Sequence, residues 1–450
     1  MPNDFAALVN EVVKPGLCCS CGACAAGCPQ KQIVFDPPDR QPRQTKPDDC
    51  KSCTACYTAC PGRYLPVRDL MRMVFNLKED YDPRTGRKYK SHFGIFKEKF
   101  VGRATDPEIA KRGASGGFVS AFLRYLIEKR EVDAAVVTTR DPNDPWRQVS
   151  VVARSMEDLR KSAGSRYVLV PVLRALSDLA DRDERCVFVG LPCHIQGLRK
   201  LQKLGVPAAR KVTVAVGIFC GVSLSPRATE HIMRELGVTD FSQVASFTMH
   251  REGNCSARVA LKDGQELRYP EYDNYGFDIT RLAPLYQTLR CSLCYDNVNE
   301  MADLSVGDTQ GNKWRNHSCV VARTDRGLDF VKRSAKEGFT TLSSFKEVMH
   351  AQNVFLKRRR AFTLQDWLRE QKQPVVEYGF PSDVAAEYPW ESEDQKREFL
   401  AFRQLRRSEA GLNFFSQMPR DQLGYYMGLS YVGYEWPKEK GRSEEGAGDK

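Results

Sequence analysis

The middle of the chain alternates short apolar runs with stretches in which apolar positions recur every three or four residues. The apolar runs predict buried strands at 133–139, 186–190 and 211–219. The helical spacing predicts helices at 116–130, 155–162, 171–180, 195–201 and 225–236. Alternating strands and helices predict an α/β sheet with helices on its faces, and a hairpin turned at Asp263-Gly264 adds an antiparallel element.

The two ends of the chain follow other patterns. Residues 66–105 read as a helix followed by a polar, turn-rich connector, and the α/β pattern fills 106–345. The stretch 346–435 ends in a charged helix and an aromatic run, which is either a docking segment or a strap packed on its own domain. Low apolar content predicts a disordered tail at 436–450.

Nine of the sixteen cysteines fall within the first sixty residues, in two runs of spacing C-x2-C-x2-C-x3-C-P. This spacing is typical of bacterial ferredoxins with two [4Fe–4S] clusters, in which the fourth cysteine of each run binds the other cluster. The spacing therefore assigns Cys18, Cys21, Cys24 and Cys60 to one cluster, and Cys28, Cys50, Cys53 and Cys56 to a second. Cys19 is left over as a packed thiol with no metal role. The fold class is thus α+β/α/β: a two-cluster ferredoxin domain at 1–65, then a mixed-sheet α/β domain.

Structural zinc and a disulfide scaffold are the alternatives for these runs. Two complete runs, each closed by proline, disfavour both. The first sixteen residues lack a basic stretch followed by an apolar one, and no segment has the ~18 apolar residues of a membrane span. We therefore expect a cytoplasmic protein without a membrane span, whose cysteines are metal ligands rather than disulfides.

The net charge of +11 is compatible with nucleic acid, an anionic membrane face or an acidic ligand or protein. Basic residues gather at 84–90, 111–112 and 357–360, and none of these runs belongs to a recognisable nucleic-acid module. No nucleic-acid partner is expected. Each run is predicted to be solvated surface.

A second set of cysteines follows predicted strands of the α/β region. Cys193 and Cys220 come just after two strands, and Cys291 and Cys294 form a C-x2-C pair. Because ligands collect at the strand ends of open α/β sheets, these four predict a third [4Fe–4S] cluster. A zinc or redox pair, or buried cysteines without a ligand, are the alternatives. We interpret Cys186, Cys255 and Cys319 as structural, and His194 as a hydrogen-bonded residue at a helix start rather than a ligand or proton donor.

A glycine-rich turn precedes the helix predicted at 116–130. It contains Gly113, Ser115, Gly116 and Gly117. Small residues let backbone N–H groups approach an anion at a helix start, which suits the pyrophosphate of a flavin. The turn lacks the dinucleotide G-x-G-x-x-G arrangement, so an ordinary loop is the alternative.

Several motifs in order, "GASGGFVSAFL", "GSRYV", "FVGLPCHIQGLRK", "IFCGVS" and "RCSLCYDNVNEMADLSVGD", closely resemble the family of coenzyme F420 hydrogenase/dehydrogenase beta subunits. This family includes 7-hydroxymethyl chlorophyll a reductase, and the resemblance spans about residues 110–340. It implies an FAD-containing iron–sulfur protein with cluster ligands at Cys193, Cys220, Cys291 and Cys294. It implies flavin contacts at Ser115, Gly116 and Gly117, at Ser165, Arg166 and Tyr167, and at Gly307 and Asp308.

The resemblance implies an oxidoreductase that passes electrons between coenzyme F420 and ferredoxin or a redox partner such as a hydrogenase or dehydrogenase subunit. Many members have lysine where Arg166 stands, which leaves the substrate open. A ferredoxin-dependent reductase of another organic substrate and a non-catalytic electron-transfer subunit are the alternatives. Arg166 and Arg112 are candidates to attract the acidic tail of F420.

Overall fold

The computed structural model describes residues 4–36, 40–47, 50, 53–78, 93–249, 255–270, 282–309, 314, 316–344, 354–380, 384–405, 408, 411, 413 and 417. The basic run at 84–90, nearly all of the aromatic run and the predicted disordered tail lie outside these ranges. No helix among the described residues is long and apolar enough to cross a membrane.

The strands form one large sheet and two small ones. In chain order they are β1 (Ile33–Asp36), β2 (Gln41–Gln44), β3 (Glu98–Ala104), β4 (Ala134–Arg140), β5 (Gln148–Ala153), β6 (Cys186–Gly190), β7 (Val212–Ile218), β8 (Val244–Met249), β9 (Cys255–Leu261), β10 (Glu266–Pro270), β11 (Leu304–Asp308), β12 (Ser318–Ala322) and β13 (Thr340–Ser344). β1 pairs with β2, and β8, β9 and β10 form an antiparallel sheet whose last two strands are the predicted hairpin.

The helices lie between the strands and at both ends of the described chain. They are α1 (Phe5–Leu8), α2 (Ala23–Ala26), α3 (Ala55–Ala59), α4 (Val67–Phe75), α5 (Pro107–Arg112), α6 (Phe118–Glu128), α7 (Met156–Ser162), α8 (Pro192–Lys203), α9 (Pro207–Arg210), α10 (Arg227–Glu235), α11 (Ala283–Tyr286), α12 (Leu289–Ser292), α13 (Asp325–Lys336), α14 (Val354–Glu370) and α15 (Glu393–Leu405). A π-helix follows α1 at Val9–Val13, and 3₁₀ segments lie at Ala114–Gly117, Val172–Leu179, Phe241–Gln243 and Val384–Glu387.

The large sheet has the strand order β13-β3-β12-β11-β7-β6-β4-β5. The four central strands, β11, β7, β6 and β4, are parallel, and β5, β12 and β13 run antiparallel to their neighbours. The predicted mixed α/β sheet is therefore confirmed. We call the edge at which β4, β6, β7 and β11 end the carboxyl edge, because side chains that follow four separate strands meet there.

The parallel strands are buried on both faces, as continuous apolar runs predict. In β4, Val136 packs into a core with α8 and the 3₁₀ segment Val172–Leu179, whereas Val137 packs against α6 on the opposite face. The first of these cores also contains side chains from the N-terminal 65 residues and from α14. The N-terminal region, the sheet and the C-terminal extension thus share one apolar core.

Two glycines allow the N-terminal region to lie close against the sheet domain. Gly22 has a left-handed φ of +89°, and a Cβ on it would lie 2.6 Å from the backbone nitrogen of Arg174. A Cβ on Gly197, in α8, would lie 2.6 Å from Leu173 Cδ1. The backbone N–H of Leu173 donates to the Cys21 carbonyl at 2.9 Å. The first cysteine run is therefore packed directly on the α/β domain.

The structure differs from the sequence prediction in several elements. β3 falls inside the stretch predicted as a connector, because its partners β12 and β13 lie more than 200 residues later and leave no local signal. β5, β11, β12 and β13 are strands that were not predicted. Residues 172–179 form a 3₁₀ segment rather than an α-helix. Cys255, for which the sequence predicts a structural role in a loop, is instead the first residue of β9.

The basic run at 357–360 is the largest departure from the predicted solvated surface. It lies in α14, and the side chains of Arg358, Arg359 and Arg360 are buried. Arg358 makes an ion pair with Glu300, which explains how its charge is accommodated. The run at 111–112, by contrast, is exposed at the end of α5, as predicted.

Candidate functional site

The structure brings the N-terminal cysteines together in two sets of four. We call these the first thiol group, Cys18, Cys21, Cys24 and Cys60, and the second thiol group, Cys28, Cys50, Cys53 and Cys56. The charge of Cys60 acts on each of the other three members of the first group. In the second group, the charges of Cys50, Cys28 and Cys53 act on the Cys56 thiol. The fourth cysteine of each run therefore lies near cysteines of the opposite run.

These thiols are costly to ionise without a cation among them. Burial, together with neighbouring thiols, raises the pKa of Cys18 to about 12 and that of Cys56 to about 12. A bound metal centre reverses this effect because its positive charge stabilises the thiolates. The donor set, four thiols with their charges coupled, fits a [4Fe–4S] cluster.

The cysteines predicted at the strand ends gather at the carboxyl edge. We call Cys193, Cys220, Cys291 and Cys294 the third thiol group. Cys193 is in the first turn of α8 after β6, Cys220 follows β7, and the last two lie in and just after α12. The charges of Cys220 and Cys294 act on Cys193, and Cys291 acts on both of them. Burial raises the pKa of Cys220 to about 12.

Cys19 lies between the first and third thiol groups. Its thiol is coupled electrostatically to the thiols of Cys193 and Cys21. This coupling lowers the pKa of Cys19 and raises the pKa of each of its two partners. The residue set aside as a packed thiol therefore joins the two groups through a chain of sulfur contacts.

Two basic side chains face the third thiol group. Lys357, in α14, donates to the carbonyl of Cys220 at 2.7 Å and to that of Asp296 at 3.3 Å. Burial lowers the pKa of Lys357, but the charges of Cys294, Cys220 and other acidic neighbours outweigh it and raise the pKa above its usual value. Arg290, 1% exposed, donates to the Tyr378 hydroxyl and, at 2.9 Å, to Gln196 Oε1.

A comparable lysine lies beside the first thiol group. Lys200, in α8, donates to the carbonyl oxygens of Cys60 at 2.7 Å and of Tyr64 at 2.5 Å. Burial lowers the pKa of Lys200 to about 8, because no carboxylate accompanies the buried charge in these contacts.

His194 caps the start of α8. Its Nδ1 accepts a hydrogen bond from the backbone N–H of Leu191 at 3.1 Å. Burial lowers its pKa to about 4, so the ring is neutral near pH 7. The interpretation as a hydrogen-bonded residue at a helix start agrees with this geometry.

The glycine-rich turn reaches the carboxyl edge beside β11. Ser115, Gly116 and Gly117 all have left-handed φ values, of 48°, 81° and 68°, immediately before α6 begins. The Ser115 hydroxyl donates to the Asp308 carboxylate, and the Ser318 hydroxyl donates to the Ser115 carbonyl at 2.9 Å. Two of the segments predicted to contact flavin are therefore in direct contact with each other.

The glycines of these segments are required by the packing of the chain itself. A Cβ on Gly116 would overlap the Asn316 carbonyl oxygen, one on Gly113 would overlap Gly117, and one on Gly307 would overlap the Phe219 ring. Substituting Gly116 would therefore disturb the fold directly. Loss of flavin in such a variant is not a clean test of a flavin site.

The third predicted flavin segment lies at the far end of the same edge, beside β4 and β5. Arg166 donates to Gln148 Oε1 at 2.7 Å and to the carbonyls of Ser165 and Ala163 at 3.1 Å, all neutral acceptors. Burial and the neighbouring charge of Arg140 lower the pKa of Arg166 to about 10. The next residue, Tyr167, packs against the core beside the three-stranded sheet of β8, β9 and β10. Arg166, held by neutral groups and with the charge of Arg140 beside it, suits an anionic ligand.

The cysteine chemistry also bears on the zinc and disulfide alternatives. The fifteen cysteines whose side chains the structure describes are all free thiols. Within the described part of the chain, no three Cys, His, Asp or Glu side chains are placed to hold a single metal ion. Cys186 and Cys319 are fully buried in β6 and β12, in agreement with a structural role.

A mixed sheet with buried thiols gathered at its carboxyl edge defines a cysteine-rich α/β redox protein. Family models then give the particular assignment. The N-terminal model of the coenzyme F420 hydrogenase/dehydrogenase beta subunit matches residues 99–177, and the C-terminal model matches 183–348. Together they match more than half of the 450 residues. The chain belongs to the family of coenzyme F420 hydrogenase/dehydrogenase beta subunits.

Curated relatives agree with this assignment. A coenzyme F420-dependent sulfite reductase of Methanocaldococcus jannaschii is 29% identical over 78% of this chain, which spans 50% of that protein's length. A coenzyme F420 hydrogenase subunit beta of Methanococcus voltae is 26% identical over 64% of this chain and 98% of its own length. One of the subunits of the F(420)H(2) dehydrogenase of Methanosarcina mazei is 24% identical over 71% of this chain and 82% of its own length. All three names describe oxidoreductases or subunits of oxidoreductases.

The fold is shared with a chain in a solved structure of the F420-reducing [NiFe] hydrogenase complex of Methanosarcina barkeri, with a TM-score of 0.51 and 23% identity over 62% of this chain and 94% of that chain. The large mixed sheet is therefore an architecture already seen in a redox complex. Four basic residues of the site were not predicted: Lys357, Lys200, Arg290 and Arg140. Of these, only Arg290 is next in sequence to a cysteine of the third thiol group, Cys291.

Proposed function

We propose that the chain is a flavin- and iron–sulfur-dependent oxidoreductase that passes electrons between coenzyme F420 and ferredoxin or a partner redox subunit. In this proposal the three thiol groups hold three [4Fe–4S] clusters. The first 65 residues act as a two-cluster ferredoxin domain, and residues 106–345 hold FAD and the third cluster.

The observation that carries the proposal is the continuity of the three thiol groups. Cys19 is coupled to Cys21 of the first group and to Cys193 of the third, and Cys24 and Cys56 link the first group to the second through their charges. Electron transfer needs closely spaced centres. The order of these contacts therefore favours an electron path from the third cluster through the first cluster to the second. Because the second group is at the end of this order, we assign it as the outlet to a partner.

The carboxyl edge offers groups that fit FAD at two places. Arg140 and Arg166 bring two positive charges to the end of β4 without a carboxylate among the hydrogen-bond partners of Arg166, which suits phosphates. Asp308, beside the glycine-rich turn, is a hydrogen-bond acceptor suited to sugar or ribityl hydroxyls. A carboxylate at this turn disfavours a pyrophosphate there, so we assign the phosphates to the arginines instead.

Bound FAD would supply the conversion between two-electron and one-electron chemistry. The residues of this chain bind and orient it. Ser115 fixes the Asp308 carboxylate, and Gln148 fixes the Arg166 guanidinium. The backbone carbonyls of Ser165 and Ala163 complete the support of that guanidinium.

Coenzyme F420 is the proposed substrate because the names of the relatives include it. The same names, which describe subunits of a hydrogenase and of a dehydrogenase, support a redox partner protein. The tail of F420 is acidic, and Arg166 is the candidate to attract it. Arg112, the other predicted candidate, is exposed at the end of α5.

The test is anaerobic purification of the chain, with extraction of flavin, assay of iron and assay of F420-dependent dye reduction. Bound FAD with about twelve irons, from three clusters of four, and F420-linked activity support the proposal. FAD and iron without F420 activity would favour a reductase of another organic substrate. Iron without flavin would favour a non-catalytic electron-transfer subunit.

A further inference from the structure

Helix α14 lies outside the residues matched by the family models, which end at 348, yet it reaches the third thiol group. The side chains of its four consecutive basic residues, 357–360, do not share the same partners. Arg358 is paired with the carboxylate of Glu300, and Arg359 with that of Glu391 at 3.5 Å. Lys357 instead hydrogen-bonds only backbone carbonyls in its described contacts.

The position of Lys357 is fixed by two of the segments that supply cysteines. Its acceptors are the carbonyl of Cys220 itself and the carbonyl of Asp296, two residues after Cys294. The Cys294 thiol donates to that same Asp296 carbonyl at 3.2 Å. A carbonyl accepts a hydrogen bond without cancelling the charge of the ammonium, so the positive charge remains available to the thiols.

Among the described residues, Arg290 and the carboxylate of Asp296 are the other charged groups that act on Cys220 and Cys294. Arg290 acts on Cys294 and Cys193 from the side of α12. The Asp296 carboxylate accepts backbone N–H groups of Val298 at 3.1 Å and Asn299 at 2.8 Å, which orient it toward its own turn. In the described part of the chain, Lys357 and Arg290 are therefore the cations near these thiols, and Asp296 is the acidic group.

A fixed positive charge next to an iron–sulfur cluster favours the reduced state, because reduction adds a negative charge. Net charge and hydrogen bonds near the sulfurs are among the factors that set cluster potentials. We propose that Lys357 raises the reduction potential of the cluster held by the third thiol group, and so makes that cluster a better electron acceptor. The inference rests on the proposed third cluster, and Lys357 acts as a positioning residue that never contacts substrate.

The test compares Lys357→Met, which removes the charge and keeps much of the length, with Lys357→Arg, which keeps the charge. The readout is the midpoint potential of each cluster in the full chain, from an anaerobic redox titration followed by electron paramagnetic resonance. We expect Lys357→Met to lower the equilibrium constant for reduction of the third cluster by about tenfold, which is about 59 mV for one electron. Lys357→Arg is expected to retain most of the wild-type potential.

Two further variants separate the charge from helix packing. Arg359→Gln alters a buried cation of the same helix whose carboxylate partner is Glu391. It should leave the potential of the third cluster unchanged. Lys200→Met removes the comparable lysine beside Cys60, and should shift a cluster of the N-terminal domain instead.

The possible results distinguish this inference from the proposed function. A wild-type chain with about eight irons, and no signal from a third cluster, would refute both. A third cluster whose potential is the same in Lys357→Met and wild type would refute the inference alone. If Lys357→Met fails to assemble the cluster, the result for Lys357→Arg tests the inference. A midpoint potential near that of wild type supports the role of charge. A tenfold lower equilibrium constant for reduction of the third cluster contradicts it.

Discussion

The N-terminal thiol groups and the third thiol group are built in different ways. The eight cysteines of the N-terminal groups come from two short runs within residues 18–60, whereas the four of the third group come from separate elements spread over 193–294. Each of the first and third groups has a lysine on a cysteine carbonyl, but Lys200 comes from α8 and Lys357 from the C-terminal extension. The first two groups thus depend on local spacing, and the third depends on the tertiary fold.

This difference implies that the third group is the more vulnerable to changes elsewhere in the chain. It needs β6, β7 and α12 to be in place, and it needs α14 to supply a charge. Cys19 then couples the locally specified group to the one assembled by the fold.

The largest expected effect is that of Cys294→Ala. It should lower iron from about twelve to about eight per chain, because only the third cluster loses a ligand while the N-terminal ligands lie in other segments. Metal analysis and electron paramagnetic resonance of the reduced chain measure this. Cys319→Ala, at a buried cysteine of β12 outside the three groups, is the matched control and should keep all twelve. Full iron content in Cys294→Ala would show that the third cluster is wrongly assigned.

The docking of the N-terminal region on the sheet can be tested with a pair of glycines. Gly22 and Gly264 have nearly the same φ, +89° and +93°, but only Gly22 is crowded, by Arg174 and Pro171 backbone atoms. We expect Gly264→Ala to cost about 1 kcal/mol of the free energy of unfolding, from backbone strain. Gly22→Ala should cost about 2–4 kcal/mol because overpacking adds to the strain. Anaerobic denaturant titrations compare the two, and equal losses would speak against tight docking.

The arginine pair at the end of β4 should affect flavin and substrate rather than clusters. Arg166→Gln is expected to lower the flavin content, because Arg166 is assigned to the FAD phosphates. In the fraction that keeps flavin, it is expected to raise the KM for F420 about tenfold, about 1.4 kcal/mol, and to weaken its dependence on ionic strength. Steady-state assays at low and physiological salt measure this, with iron content unchanged. Arg160→Gln, an exposed residue paired with Glu157, removes the same charge as a control. A KM in wild type that ignores ionic strength would count against the arginine site.

The smallest expected effect concerns an exposed ion pair between the two regions. Lys31 in the N-terminal region meets Asp181 at 2.9 Å, with side chains 53% and 85% exposed. Lys31→Ala should change the free energy of unfolding by about 0.5 kcal/mol or less, because exposed pairs are screened by solvent. A loss above about 2 kcal/mol in a denaturant titration would mean that docking depends on charge more than on the shared apolar core.

Three of the eight strands of the large sheet, β4, β6 and β7, could be predicted from the sequence, and so could the composition of the three thiol groups. Cysteine spacing is a local signal, and the carboxyl ends of parallel strands meet at one edge, so Cys193 and Cys220 could be placed together in advance. β3 could not be placed, because its partner strands lie far along the chain.

The basic residues were the hardest part of the site to predict. Four consecutive cations at 357–360 resemble a solvated surface, and nothing nearby indicates that Lys357 meets Cys220 and Asp296, which lie 137 and 61 residues away. The close approach of the Asn316 carbonyl oxygen to Gly116, again a contact between distant residues, could not be predicted either. Contacts of this kind depend on the tertiary fold.

The most direct test of the account is to mix reduced F420 anaerobically with the isolated, fully loaded chain and to follow F420 oxidation together with cluster reduction. The account predicts that F420 is oxidised and that the signal of a reduced [4Fe–4S] cluster appears, first from the cluster of the third thiol group. A chain with full flavin and iron content that leaves reduced F420 unoxidised, with its clusters oxidised, would contradict the proposed function.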